Sequence, residues 1–123
     1  MAKESYIRFE TPKEIGDKAY ELVKVAGASG KLAKGTNEVT KMIERSEAKL
    51  VVIAEDVQPP EILEHIPMLC EEKNIPYVYV KNKQELGKSA GINKNASSVA
   101  VIIPGKGEPI LNEIVAAVSS IKR

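Results

Sequence analysis

Three apolar runs constrain this chain more than any other feature: Lys49-Leu50-Val51-Val52-Ile53-Ala54, Tyr77-Val78-Tyr79-Val80 and Ser98-Val99-Ala100-Val101-Ile102-Ile103. The first and third are continuous and rich in β-branched residues, the pattern of strands covered on both faces rather than one. Helical stripes fall between and around them. Ile15, Ala19, Leu22, Val23 and Ala26 share one side of a helix, and Ile110, Leu111, Ile114, Val115, Val118 and Ile121 share one side of another. Strands that need cover on both faces, alternating with helices that each offer one apolar face, predict an α/β/α sandwich around a small mixed sheet. With 123 residues, 43% of them hydrophobic, the chain reads as a single domain over 1–123, large enough to bury a core without staples. There is no linker, repeat or low-complexity tract.

Local signals set the expected boundaries. Thr11-Pro12-Lys13-Glu14 reads as a capping box opening the first helix, which Gly27 to Gly30 should end. Lys31 to Lys34 forms a short strand. Pro59-Pro60 opens a short helix through His65, and Pro67 starts another through Lys73. Asn82-Lys83-Gln84-Glu85 resembles a second capping box, its helix stopping at Gly91, and Pro109 starts the last helix.

Chemistry gathers on Gly35-Thr36-Asn37-Glu38-Val39-Thr40-Lys41, a glycine turn running into a two-faced helix. At about 3.6 residues per turn Asn37, Glu38 and Lys41 fall on one side, while Val39, Met42 and Ile43 form a buried stripe on the other. The N-terminal end of such a helix favours anions, and amide, carboxylate and ammonium groups can all read base edges. The pattern alone equally fits a solvated face with Thr36 as N-cap and a Glu38–Lys41 pair, and on pattern alone that plainer reading ranks first. A phosphate-cradling P-loop does not fit: Gly30-Lys31-Leu32-Ala33-Lys34-Gly35-Thr36 lacks the lysine after its second glycine.

Composition narrows the partners. Lys plus Arg number 18 against 17 Asp plus Glu, a net charge of +1, so any nucleic-acid contact must be local and shape-matched. Four Tyr, one Phe and no Trp leave little material for stacking platforms. Cys70 is the sole cysteine and reads as a small buried hydrophobe in a reducing compartment. The start Met1-Ala2-Lys3-Glu4-Ser5 lacks a signal-peptide pattern, and no apolar run reaches membrane-spanning length. A soluble, cytoplasmic protein without metal or cofactor is expected. His65 has no second ligand, Glu55-Asp56 reads as loop acidity rather than a catalytic pair, and Gly105-Lys106-Gly107 is a turn. Three loops are candidates for a working site at one end of the strands: Gly30 to Asn37, Ala54 to Glu61 and Gly87 to Ser97.

Three segments resemble a known family. Gly35 to Lys41, the run Lys49 to Ile62, and Leu69-Cys70-Glu71-Glu72-Lys73-Asn74-Ile75-Pro76-Tyr77-Val78-Tyr79-Val80 look like the kink-turn-binding ribosomal protein family L-seven-Ae in its archaeal form, over nearly the whole chain. The resemblance implies a non-catalytic RNA-binding protein, a monomer when free, that joins other ribonucleoprotein core proteins. Its RNAs would be kink-turns in ribosomal RNA, box C/D and box H/ACA guide RNAs and RNase P RNA. Gly35, Asn37, Glu38 and Lys41 would contact tandem sheared G·A pairs, with Lys34, Thr36 and Ala96 beside them. Gln58, Ile62 and Lys83 would add contacts, and the loop at Ile92 would cap an extruded nucleotide. Many archaeal members carry Leu-Glu-Val where this chain has Ile92-Asn93-Lys94, so the Lys94 stem is expected to cover the base and its ammonium to meet phosphate. The competing reading is an α/β protein-interaction domain or small-molecule enzyme whose charged helix is merely solvated.

Overall fold

The computed structural model describes residues 5–121, so the reading of Met1 to Ser5 as free of a targeting signal lies almost wholly outside the described residues. In order the elements are α1 (Lys13–Ser29), β1 (Lys31–Lys34), α2 (Thr36–Glu44), β2 (Leu50–Ala54), α3 (His65–Glu72), β3 (Tyr77–Val80), α4 (Lys83–Ser89), β4 (Ser98–Ile103) and α5 (Glu108–Ile121). Short 3-10 turns at Pro60–Leu63 and Gly105–Gly107 precede α3 and α5. The four strands form one mixed sheet in the order β1-β4-β2-β3, with β4 antiparallel to both neighbours and β2 parallel to β3. Helix α1 packs against α4 and α5, and α2 packs against α3. This is the expected α/β/α sandwich, with five α-helices around four strands among the described residues.

Sheet position follows from composition. Every residue of β2 from Leu50 to Ala54 is fully buried, as befits a central strand with helices on both sides. Edge strand β3 is also buried because the chain before α1 lies along it. Tyr6 and Phe9 pack their rings against Tyr77 and Tyr79, with centroids 5.1–6.5 Å apart. The unpaired N–H of Tyr79 on this edge donates to Thr11 Oγ1 at 3.1 Å.

That bond corrects one expectation. Thr11 does not cap α1; Pro12 is the N-cap residue, with no side-chain cap, and Ile15 and Gly16 donate to its carbonyl. The threonine hydroxyl instead satisfies a buried strand donor, whereas the first turn of α1 is wet and can bond water. Helix α1 runs through Gly27 to Ser29 and stops at Gly30, where a Cβ would lie 1.9 Å from the Ile103 carbonyl oxygen. The division at Pro67 also differs. His65 begins α3 rather than ending a helix, and Pro67 sits in its first turn, where a missing N–H breaks no helical bond. Asn82 does cap α4, its Oδ1 accepting from the Glu85 N–H at 2.9 Å.

Burial holds the phenols of Tyr77 and Tyr79 well above the ordinary value of 10.0, and for Tyr77 donation to the Glu71 carboxylate at 2.5 Å pushes the same way. The folded state therefore keeps protons that the unfolded chain releases near pH 10. This contribution is complete below about pH 10 and is lost as pH rises toward the folded values. Urea midpoints are expected to fall steeply above about pH 10, and less steeply in Tyr77→Phe, which has one fewer phenol to ionise. A Tyr77→Phe variant with the same alkaline decline would contradict this.

Candidate nucleic-acid interface

Strand directions bring the three candidate loops together. Because β1 and β2 both run opposite to β4, and β3 runs with β2, the C-terminal ends of β1, β2 and β3 meet the N-terminal end of β4. The segments after Lys34, Ala54 and Val80 and the one before Ser98 thus share one end of the sheet. Backbone bonds lash them to one another: Gly35 N donates to Ser98 O at 2.9 Å, Ala54 N to Ser97 O at 2.9 Å, Glu55 N to Val80 O at 2.8 Å and Ala96 N to Lys83 O at 3.0 Å.

Helix α2 rises from this junction. Its N-cap is Gly35 rather than Thr36, with φ 89° and ψ 155°. No atom lies within 4 Å of a Cβ built there, so conformation rather than crowding calls for glycine. Thr36, inside the helix, instead shares a 2.8 Å hydroxyl–hydroxyl bond with Ser97. Val39, Met42 and Ile43 are buried, while Asn37, Glu38 and Lys41 are exposed, so the two faces fall as the periodicity requires. Lys41 Nζ lies 3.4 Å from Glu38 Oε1, with both side chains more than half exposed. A pair this wet contributes little to stability and leaves both groups open to a ligand.

The helix is held from behind. The Thr40 hydroxyl donates to Thr36 O at 2.7 Å, which leaves it as acceptor for His65 Nε2–H at 2.8 Å. The histidine at the start of α3 thereby fixes the roll of α2. Thr40, His65 and Ser97 are not legible in the sequence as supports of the site, since they meet partners on other elements.

The remaining candidates border the same end. Lys34 is exposed at the end of β1. Gln58 is exposed beside a cis peptide to Pro59, and Ile62, on the 3-10 turn, is 44% exposed. Lys83 is half-buried and donates its N–H to Asp56 Oδ1 at 2.8 Å, while Glu55 pairs with Lys81 at 3.1 Å. The two loop acids are thus employed in tying the loops. Ile92 is half-buried against the core, Lys94 is exposed, and Ala96 is only 2% exposed, which leaves its backbone rather than its side chain for any contact. Among the described residues no three His, Cys, Asp or Glu side chains gather in metal-binding reach, and no helix is long and apolar enough to cross a membrane. An open groove of about 620 Å³ lies between the C-terminal end of α3, the start of β3 and α5, at the other end of the sheet.

One end of the α/β/α sandwich thus presents a helix with an exposed charged face beside four tethered segments. Residues 17–110 match the family model described as the ribosomal protein L7Ae/L30e/S12e/Gadd45 family, and the chain belongs to that family. Among solved structures it is similar to the Giardia lamblia 15.5kD RNA binding protein, at 29% identity and a TM-score of 0.88. That likeness covers 98% of this chain and 99% of the other.

Proposed function

We propose that this chain is a non-catalytic RNA-binding protein of the archaeal L7Ae type, a cytoplasmic monomer when free, that captures kink-turns and presents them to other core proteins of ribonucleoprotein particles. Its RNAs would be ribosomal RNA, box C/D and box H/ACA guide RNAs and RNase P RNA. The observation that carries the reading is the exposed Asn37–Glu38–Lys41 face, anchored by a buried stripe and set beside the joined loops. The RNA-binding description of the Giardia lamblia relative supports it.

The chemistry is selective for RNA shape. In a Watson–Crick pair the N1–H and N2–H of guanine are occupied, so a carboxylate can accept from that edge only where the pairing is sheared or otherwise altered. Glu38 would accept from guanine there. Lys41 and Asn37 would supply the donors, and Lys34, Lys83 and Lys94 would meet phosphates around the bend. A rigid helix face that fits only bent RNA binds one conformer better than the other, and that difference in affinity shifts the population.

The test is a kink-turn RNA labelled at both ends. Adding protein in chelator, without divalent ions, should raise energy transfer between the labels as the RNA kinks, and the RNA should be recovered intact. A plain duplex should show no such change. Tight binding at constant end-to-end distance would reject kink capture, and cleaved or modified RNA would reject the non-catalytic reading.

A further inference from the structure

Beside the proposed RNA face, α4 and the loop after it enclose a depression of about 230 Å³ lined by Gln84, Lys88, Ile92, Asn93, Lys94 and Asn95. Gln84 and Lys88, four residues apart, stack on one face of α4 and form one wall. The loop forms the other, and it is fastened to the helix: Ile92 N donates to Gly87 O at 3.0 Å and Ala96 N to Lys83 O at 3.0 Å. Gly87 permits this closeness, since a Cβ there would lie 1.9 Å from the Lys94 carbonyl oxygen. The depression is therefore a built feature rather than a gap between mobile parts.

Its lining has a consistent chemistry. Lys88 and Lys94 take part in no ion pair among the described residues, and no acidic side chain lines the depression. Three amides offer donors and acceptors, and Ile92 supplies an apolar floor. The volume falls below the roughly 300 Å³ at which small-molecule pockets usually begin, and the depression opens to solvent beside the candidate RNA residues Ile92 and Lys94. Two unneutralised ammonium groups flanking amides and one aliphatic side chain match a nucleotide: phosphate to the lysines, sugar or base to the isoleucine, base edge to the amides.

We propose that this depression enlarges the nucleotide subsite at the Ile92 loop, with Lys88 and Gln84 of α4 extending the RNA footprint beyond the α2 face. The inference rests on the RNA-binding reading and deepens it. Gln84 and Lys88 are the residues it adds; neither stands out in the sequence, because a lysine near the end of a short helix ordinarily serves the helix dipole.

Salt titrations of a kink-turn RNA and a plain duplex, with full-length wild type, Lys88→Gln and Lys88→Arg, test it. If Lys88 holds a phosphate, the log-affinity against log-salt slope for the kink-turn should become shallower by about 0.7–0.9 in Lys88→Gln and stay unchanged in Lys88→Arg. Gln84→Ala should weaken kink-turn binding without altering that slope. An unchanged slope in Lys88→Gln would overturn the subsite, as would an equal change on the duplex, which would mark a non-specific charge effect. Failure of the RNA-binding reading looks different: wild type itself would then show no preference for the kink-turn over the duplex.

Discussion

Replacing Glu38 by alanine is expected to weaken binding to a kink-turn RNA by about 1–3 kcal/mol, roughly five-fold to more than a hundred-fold, the worth of a good base contact. The fold should barely change. Glu38 is exposed, its pairing with Lys41 is a wet surface contact, and the buried stripe of Val39, Met42 and Ile43 holds α2 without it. Gel-shift titration and urea denaturation of the same variant separate the two effects. Glu38→Gln sharpens the result: an amide of the same shape can still accept at one oxygen but loses the carboxylate charge, so its affinity should fall between those of wild type and alanine. If Glu38→Ala bound RNA as tightly as wild type, the solvated-face reading of α2 would stand and the proposed guanine contact would not.

A second large effect is expected at Gly87, this time on stability and binding together. By helix propensity alone, alanine in the middle of α4 should stabilise by up to about 1 kcal/mol. The neighbours reverse the sign. The new Cβ would meet the Lys94 carbonyl oxygen at 1.9 Å and the Lys94 carbonyl carbon at 3.0 Å, both backbone atoms that cannot swing aside. The 91–96 loop must lift away from α4, losing the Ile92–Gly87 and Ala96–Lys83 bonds. Overpacking of this kind costs about 1–3 kcal/mol, so Gly87→Ala should lower the urea midpoint despite its better propensity. It should also weaken RNA binding and flatten the salt slope, because Ile92 and Lys94 ride on that loop. A Gly87→Ala protein as stable as wild type with undiminished affinity would show that the loop moves at no cost and that its fastening to α4 does not matter.

Legibility in the sequence tracked the range of the interactions involved. The faces of α2 were readable because helical period and side-chain polarity act over three or four residues, and burial of Val39, Met42 and Ile43 follows directly. The three apolar runs were readable as strands for the same reason, and so was the Asn82 cap, whose partner lies three residues away. Thr11 failed by the same measure. The capping pattern was present, but a hydroxyl bonds whichever donor most needs it, and the buried Tyr79 N–H is 68 residues distant. Thr36 behaved likewise, meeting Ser97 rather than capping its own helix. Pro67 leaves the start of α3 ambiguous in the sequence, because proline is equally at home at the first position of a helix and elsewhere in its first turn.

Local periodicity and the number of apolar faces needing cover are enough to specify an α/β/α sandwich and a helix with an apolar back and an amide–carboxylate–ammonium front. Whatever joins distant segments comes from packing the whole chain. The reversed direction of β4 brings the ends of β1, β2 and β3 to a common place, His65 reaches across to Thr40 to hold α2, and Gly87 lets the 91–96 loop lie against α4. No local rule encodes these contacts, because strand order and close backbone approach arise from packing the whole core at once, and each depends on atoms many residues away in the chain.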